Sequence, residues 1–162
     1  MGLWKEDIFL SYLSWVSGNM WSTMKTIVIN HCVDWIYCDP AGIMFYPEFY
    51  IWFDQATEHL FTANGLPYEQ LRKKYNVSGL PLVESGANYE TPCKHGEEVE
   101  LHSHVEEWAG KTFLMNHTVY HKGGKRALRG FERRVWVELA PDSPAGMRAK
   151  PIPAEVQDLF RD

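Results

Sequence analysis

Two periodicities divide this chain. Within residues 47–63, Phe49, Phe53, Ala56 and Leu60 recur at helical spacing with Tyr50 and Trp52 beside them, so apolar side chains lie nearly all round. Such a helix is expected to be buried, with a sheet wrapped about it. Asn64-Gly65 supplies a C-cap pair, and Leu66-Pro67 opens a shorter helix that runs to Tyr75. Ahead of the long helix, residues 25–35 are rich in β-branched side chains and predict a first strand. After it the period changes to two. Residues 79–89 predict a second strand, stopped by Thr91-Pro92, and His95-Gly96 predicts a turn. Val99, Leu101, Ser103 and Val105 then alternate with polar neighbours, as in a strand with one wet face. Beyond Gly110, residues 112–121 predict another strand, and Gly123-Gly124 a hairpin turn into the longest one, 125–139. There Ala127, Phe131, Val135, Val137 and Leu139 are expected to share one face, with Arg129 and Arg133 as exceptions needing partners. Pro141, Pro144, Pro151 and Pro153 punctuate the tail before a short helix ending near Phe160. One strand, one long helix and a strand meander predict an α+β architecture, helix against antiparallel sheet.

Residues 1–23 stand outside this pattern. Trp4, Ile8, Phe9, Leu13, Trp15 and Val16 suit one side of a helix, so the expected organisation is a helical N-terminal extension over 1–23 and one domain over 24–162. A membrane-surface anchor normally carries several bases on its polar face, and here Lys5 stands alone. Lys5, Glu6 and Asp7 also make a poor secretory signal. The composition, 45% hydrophobic and 14% aromatic over 162 residues, is that of a globular protein. A formal charge of −5 argues against broad nucleic-acid binding, which needs a basic surface. No stretch reaches the ~18 uninterrupted apolar residues of a membrane span. Three cysteines, Cys32, Cys38 and Cys93, leave at least one unpaired and fit a reduced, cytoplasmic protein.

The stretch that carries chemistry lies between the first strand and the long helix. Asp39 precedes Pro40, which biases it toward an extended backbone, and Gly42 lets the chain turn. Pro47 suits the first position of a helix, which makes Tyr46 the expected N-cap. The first N–H groups of a helix have no internal acceptors and carry the positive end of its dipole, so they hold an oxyanion well. A carboxylate brought back to that point faces an acyl carbonyl polarised by those amides. The simpler reading of Asp39 is a turn residue capping its own loop.

The run over residues 33–54, VDWIYCDPAGIMFYPEFYIWFD, closely resembles the signature of the hotdog-fold 4-hydroxybenzoyl-CoA thioesterase family, with its D-x-A-G turn and aromatic-Tyr-Pro before the central helix. A weaker likeness runs on through Leu80-Pro81-Leu82-Val83, Glu107-Trp108 with Lys111-Thr112-Phe113, and Met147-Arg148-Ala149 ahead of Pro153. The resemblance implies a hotdog fold and hydrolysis of an acyl-CoA thioester. It implies Asp39 as catalytic carboxylate, either nucleophile or general base, and the Tyr46 backbone N–H as carbonyl donor. Gly42 and Phe45 then belong to the substrate site, and Lys111 and Arg148 resemble contacts to the coenzyme phosphates. Two arginines expected beside Trp108 are replaced by Ala109 and Gly110, which leaves Arg126, Arg134 and Lys150 as substitutes. The resemblance also implies a homodimer or homotetramer with active sites at subunit interfaces, and no cofactor beyond the coenzyme A of the substrate.

Competing readings remain open at this level. Glu48 and Asp54 lie on the helix, where some other hotdog thioesterases place their carboxylate; structurally, Glu48 suits the helix dipole and Asp54 a polar neighbour. Glu84 suits pairing across the sheet. Cys93, His95, His102, His104, His117 and His121 invite a metal reading, but they lack the compact paired spacing of zinc sites, and no metal is expected. No G-x-S-x-G elbow or phosphate-cradling glycine loop occurs. A thioesterase acting on carrier-protein-bound acyl groups and a non-catalytic acyl-thioester binder are the alternatives.

Overall fold

The computed structural model describes residues 24–162; the expected extension over 1–23 lies outside the described residues. Strands β1 (Thr26–Cys32), β3 (Leu82–Tyr89), β4 (Glu98–Ala109), β5 (Thr112–His121) and β6 (Arg126–Val135) form one antiparallel sheet in the order β1-β4-β5-β6-β3. The sheet packs on helix α1 (Tyr46–Ala63), and a second helix, α2 (Tyr68–Tyr75), follows. A small second sheet joins β2 (Val77–Gly79), β7 (Val137–Leu139) and β8 (Met147–Ala149), and α3 (Ala154–Asp158) closes the chain. Among the described residues no helix is long and apolar enough to cross a membrane.

Helix α1 buries Phe49, Trp52, Phe53, Ala56, Thr57, Leu60 and Phe61, a stripe at helical spacing, while Ile51 on its other side is 50% exposed. The sheet therefore covers one face of the helix and not its whole circumference. Fully burying one such apolar side chain contributes about 1.5–3 kcal/mol. The helix comes close because Gly130 lies under Phe53, where any Cβ would enter the ring. Turn chemistry is as expected: Asn64 caps α1, and Gly65, Gly96, Gly123 and Gly124 all take positive φ.

Three expectations are corrected. The predicted strand 79–89 is two strands separated at Leu80-Pro81, each in a different sheet. The predicted strand 125–139 likewise breaks at Trp136, where the chain leaves the large sheet for the small one, so β4 is the longest strand. The buried face of β6 also differs from the one expected: Ala127 is buried as expected, but from Leu128 onward it is Leu128, Gly130, Glu132 and Arg134 that are buried, while Phe131 and Val135 are only partly covered.

That inward face carries a buried polar cluster. Glu132 accepts from Thr57 Oγ1 of α1 at 2.9 Å and from Arg134 Nε at 3.0 Å, and lies 3.3 Å from His117 Nε2. Arg134 also donates to Asp54 and to the Leu80 carbonyl, and His117 Nδ1 lies 2.8 Å from Ser103 Oγ. His117 stacks on Phe53 at 4.6 Å. The cluster fastens the middle of α1 to the sheet. Burial pushes the Glu132 carboxyl up, but hydrogen bonds from His117 and Arg134 outweigh it and bring the group from 4.5 to about 2. Burial holds His117 below its ordinary 6.5. Both groups have depressed pKa values in the folded chain, so the unfolded chain binds more protons and stability is lost as pH falls. The midpoint of thermal unfolding should drop as pH falls below 6.5 and again from 4.5 toward 2. A midpoint constant across that span, followed by circular dichroism, would contradict this linkage.

Candidate active site

The loop from β1 to α1 is built by short-range bonds. A one-turn 3₁₀ helix, Trp35–Tyr37, is capped by Asp34, whose Oδ1 accepts from Ile36 N–H at 3.3 Å. Asp39 to Gly42 then form a β-turn with Gly42 N–H donating to the Asp39 carbonyl at 2.9 Å. Asp first, Pro second and Gly last is the residue order such a turn favours. Gly42 has φ +73°, open to glycine at no steric cost. Asp39 N–H donates to the Ile43 carbonyl at 2.9 Å and Phe45 N–H to the Tyr37 carbonyl at 2.8 Å, which folds the turn back onto the start of α1.

Asp39 Oδ1 accepts from Ala41 N–H at 2.8 Å. The aspartate thus caps its own turn, and its second carboxylate oxygen is the one available to a substrate. Phe45, not Tyr46, is the helix N-cap, and it gives no side-chain cap; Tyr46 is the first helical residue. The shift by one residue leaves its backbone N–H without an intrahelical acceptor. Pro47 has no N–H to offer, and Glu48 N–H donates to the Phe45 carbonyl at 3.1 Å. The first turn of α1 therefore offers the Tyr46 amide as its outward donor.

Asp39, Phe45 and Tyr46 line one cavity of about 530 Å³, a size typical of small-molecule sites. Ile43, Met44 and Phe49 line it too, as do residues 89–93, Tyr89 to Cys93, with Met44 N–H donating to the Cys93 carbonyl at 2.8 Å. Burial, with Tyr50 close by, pushes the Tyr89 phenol up to about 12, and burial does the same to the Cys93 thiol, so both stay neutral. Gly42 shapes the turn and does not line the cavity. Lys111 and Arg148 do not line it either. Lys111 sits where β4 turns into β5, its carbonyl accepting from Trp136 N–H, and Arg148 pairs with Asp142 and Glu138 near that end. Asp39 lies at the other end of β4, on the order of 35 Å along the strand. One chain thus gathers Asp39, Phe45 and Tyr46 and leaves both cations apart from them.

The remaining candidates separate as well. Asp54 is held by Arg134, so neither is free, and Glu84 pairs with Arg133 on the neighbouring strand. Lys150 pairs with Glu138 and Arg126 with Glu90. Of the histidines, His95 packs on Trp35, His102 pairs with Glu100 and His117 is buried in the polar cluster. Sequence reading missed the wall formed by Tyr89, Glu90 and Thr91, because the Thr91-Pro92 pair signals only the end of a strand.

The sequence profile described as the thioesterase-like superfamily matches residues 33–160. The chain belongs to the thioesterase-like superfamily. Among its relatives is the 4-hydroxybenzoyl-CoA thioesterase of Pseudomonas sp. (strain CBS-3), 27% identical over 140 residues, 83% of this chain and 97% of that one. A crystal structure of an aspartate-to-asparagine mutant of 4-hydroxybenzoyl-CoA thioesterase, complexed with 4-hydroxybenzoyl-CoA, superposes with a TM-score of 0.75 at 27% identity, covering 83% of this chain and 98% of that one. A gentisyl-coenzyme A thioesterase structure superposes with a TM-score of 0.68 at 30% identity, covering 81% and 99%. This thioesterase-like chain has the hotdog fold and is a thioester hydrolase.

Proposed function

We propose that the chain hydrolyses an acyl-CoA thioester, with an aromatic acyl group such as hydroxybenzoyl or a short one, to the free acid and coenzyme A. The observation that supports this is that Asp39 and Tyr46 line one cavity. With the thioester oxygen on the Tyr46 N–H, negative charge that develops in the transition state meets a fixed donor at the positive end of a helix. The free Asp39 oxygen then has two routes. In one it attacks the carbonyl carbon, the C–S bond breaks, coenzyme A leaves as thiolate, and water hydrolyses the resulting anhydride. In the other it takes a proton from a water that attacks the same carbon. Phe45 contributes apolar wall to the acyl end. Solvent oxygen found in the Asp39 carboxylate after prolonged single turnover in ¹⁸O water would establish the first route, since only the anhydride can place it there.

The coenzyme phosphates need cations, and those that the family likeness suggests, Lys111 and Arg148, are remote from Asp39 within the chain. A second copy, paired along the exposed edge strand β3, resolves this if its basic end reaches the first copy's cavity. Leu82 and Val83 on that edge are 47% and 59% exposed, as suits a strand awaiting a neighbour. The surface pair Arg148 makes with Asp142 is weak, about 0–1 kcal/mol, and yields to a phosphate. Purified protein, given benzoyl-, hydroxybenzoyl-, phenylacetyl- and short aliphatic-CoA, should release free thiol from at least one of them. No release from any would overturn the reading.

A further inference from the structure

Thr91, which lines the same cavity as Asp39, is held in a way that fixes its hydrogen-bonding role. Its Oγ1 lies 2.9 Å from His121 Nε2 and 3.2 Å from the Arg126 carbonyl, and His121 Nδ1 lies 3.3 Å from Glu97. A threonine hydroxyl has one proton and two lone pairs. If His121 carries its proton on Nδ1, toward Glu97, then Nε2 is an acceptor and Thr91 donates to it. If the proton is on Nε2, Thr91 accepts it and donates its own to the Arg126 carbonyl. Under either tautomer the Thr91 proton stays inside the protein, and what the hydroxyl has left to offer a ligand is a lone pair. Its neighbour Glu90 also presents only acceptor oxygens, with Oε1 fixed by Arg126 Nε at 2.6 Å.

Resting on the reading of this cavity as an acyl site, we propose that Thr91 determines acyl specificity: its Oγ1, locked as an acceptor, selects acyl groups bearing a hydrogen-bond donor such as a ring hydroxyl. Ile43, Met44 and Phe49 on the same lining are apolar, so away from the Asp39 carboxylate a donor on the acyl group finds its acceptor at Glu90 and Thr91. An acyl group lacking the donor leaves a desolvated acceptor unpaired. An acyl group with an acceptor at that place meets like lone pairs.

Benzoyl-CoA and its 3- and 4-hydroxy, amino and fluoro derivatives test this. Fluorine is small and cannot donate, whereas hydroxyl and amino groups can. Wild-type protein should favour hydroxy and amino over fluoro and unsubstituted substrates about tenfold in kcat/KM in the 3- or the 4-series, as expected for one hydrogen bond. Thr91→Val should bring the hydroxy-to-unsubstituted ratio close to one, and Thr91→Ser should retain it. Equal rates for hydroxy and fluoro substrates in both series with wild-type protein would overturn the proposal without need of any variant. So would a hydroxyl preference that survives Thr91→Val, while turnover still dependent on Asp39 would leave the thioesterase reading standing. Hydrolysis of aliphatic but no aromatic thioesters would overturn the Thr91 proposal alone, and loss of all hydrolysis would remove both.

Discussion

Asp39→Asn is expected to lower kcat by at least about 100-fold, the lower end of what loss of a general base or nucleophile costs, while the thermal midpoint stays within a few degrees. Stability survives because asparagine keeps a side-chain oxygen that can accept from Ala41 N–H, the bond the Asp39 side chain makes among the described residues. Activity is lost because an amide is neither a base nor a nucleophile at neutral pH. The paired measurement separates the two readings of this residue. A variant that loses stability and keeps turnover would make Asp39 a turn residue only. Hydrolysis assayed by thiol release, beside a melting curve of the same sample, decides.

Arg134→Met is expected to destabilise the fold by about 3–5 kcal/mol, the usual cost of stranding a buried charge. The guanidinium side chain is 5% exposed and Glu132 is 2% exposed. Without Arg134, Glu132 keeps Thr57 and His117 but loses its countercharge, and the Leu80 carbonyl loses a donor. Replacing Glu132 by Met as well should cost less than the two single changes summed, since neither charge is then left alone. Urea denaturation of the wild type, both single variants and the double variant closes the cycle. An additive result would mean that the two charges are not coupled.

Local chemistry was legible in the sequence and long-range compensation was not. The turn Asp39-Pro40-Ala41-Gly42 and the start of α1 follow from residues a few positions apart, each with its own backbone preference. The lining at Tyr89 to Cys93 comes from the last residue of β3 and the loop after it, and no spacing rule ties it to Asp39. In β6, counting apolar residues favoured Phe131, Val135 and their neighbours as the buried face. Tertiary structure reverses that, because Glu132 and Arg134 neutralise each other and find Asp54, Thr57 and His117 on other elements. A paired charge tolerates burial where a lone one does not, and the partners are invisible along a single strand. The break at Trp136 has no glycine or proline to announce it; it is a change of sheet. Phe45 and Tyr46 differ by one position from the expected cap, the usual margin at helix ends.

The fastening of α1 at Thr57 lies about 16 Å along the helix from Tyr46, at 1.5 Å per residue. Scaffold and chemistry are thereby kept apart along one element. Phe45 and Tyr46 are 46% and 58% exposed and take no part in that fastening, so exchanges there alter what enters the cavity without loosening the helix. A lineage carrying this arrangement can drift from one acyl group to another by small steps, each tolerated by the frame.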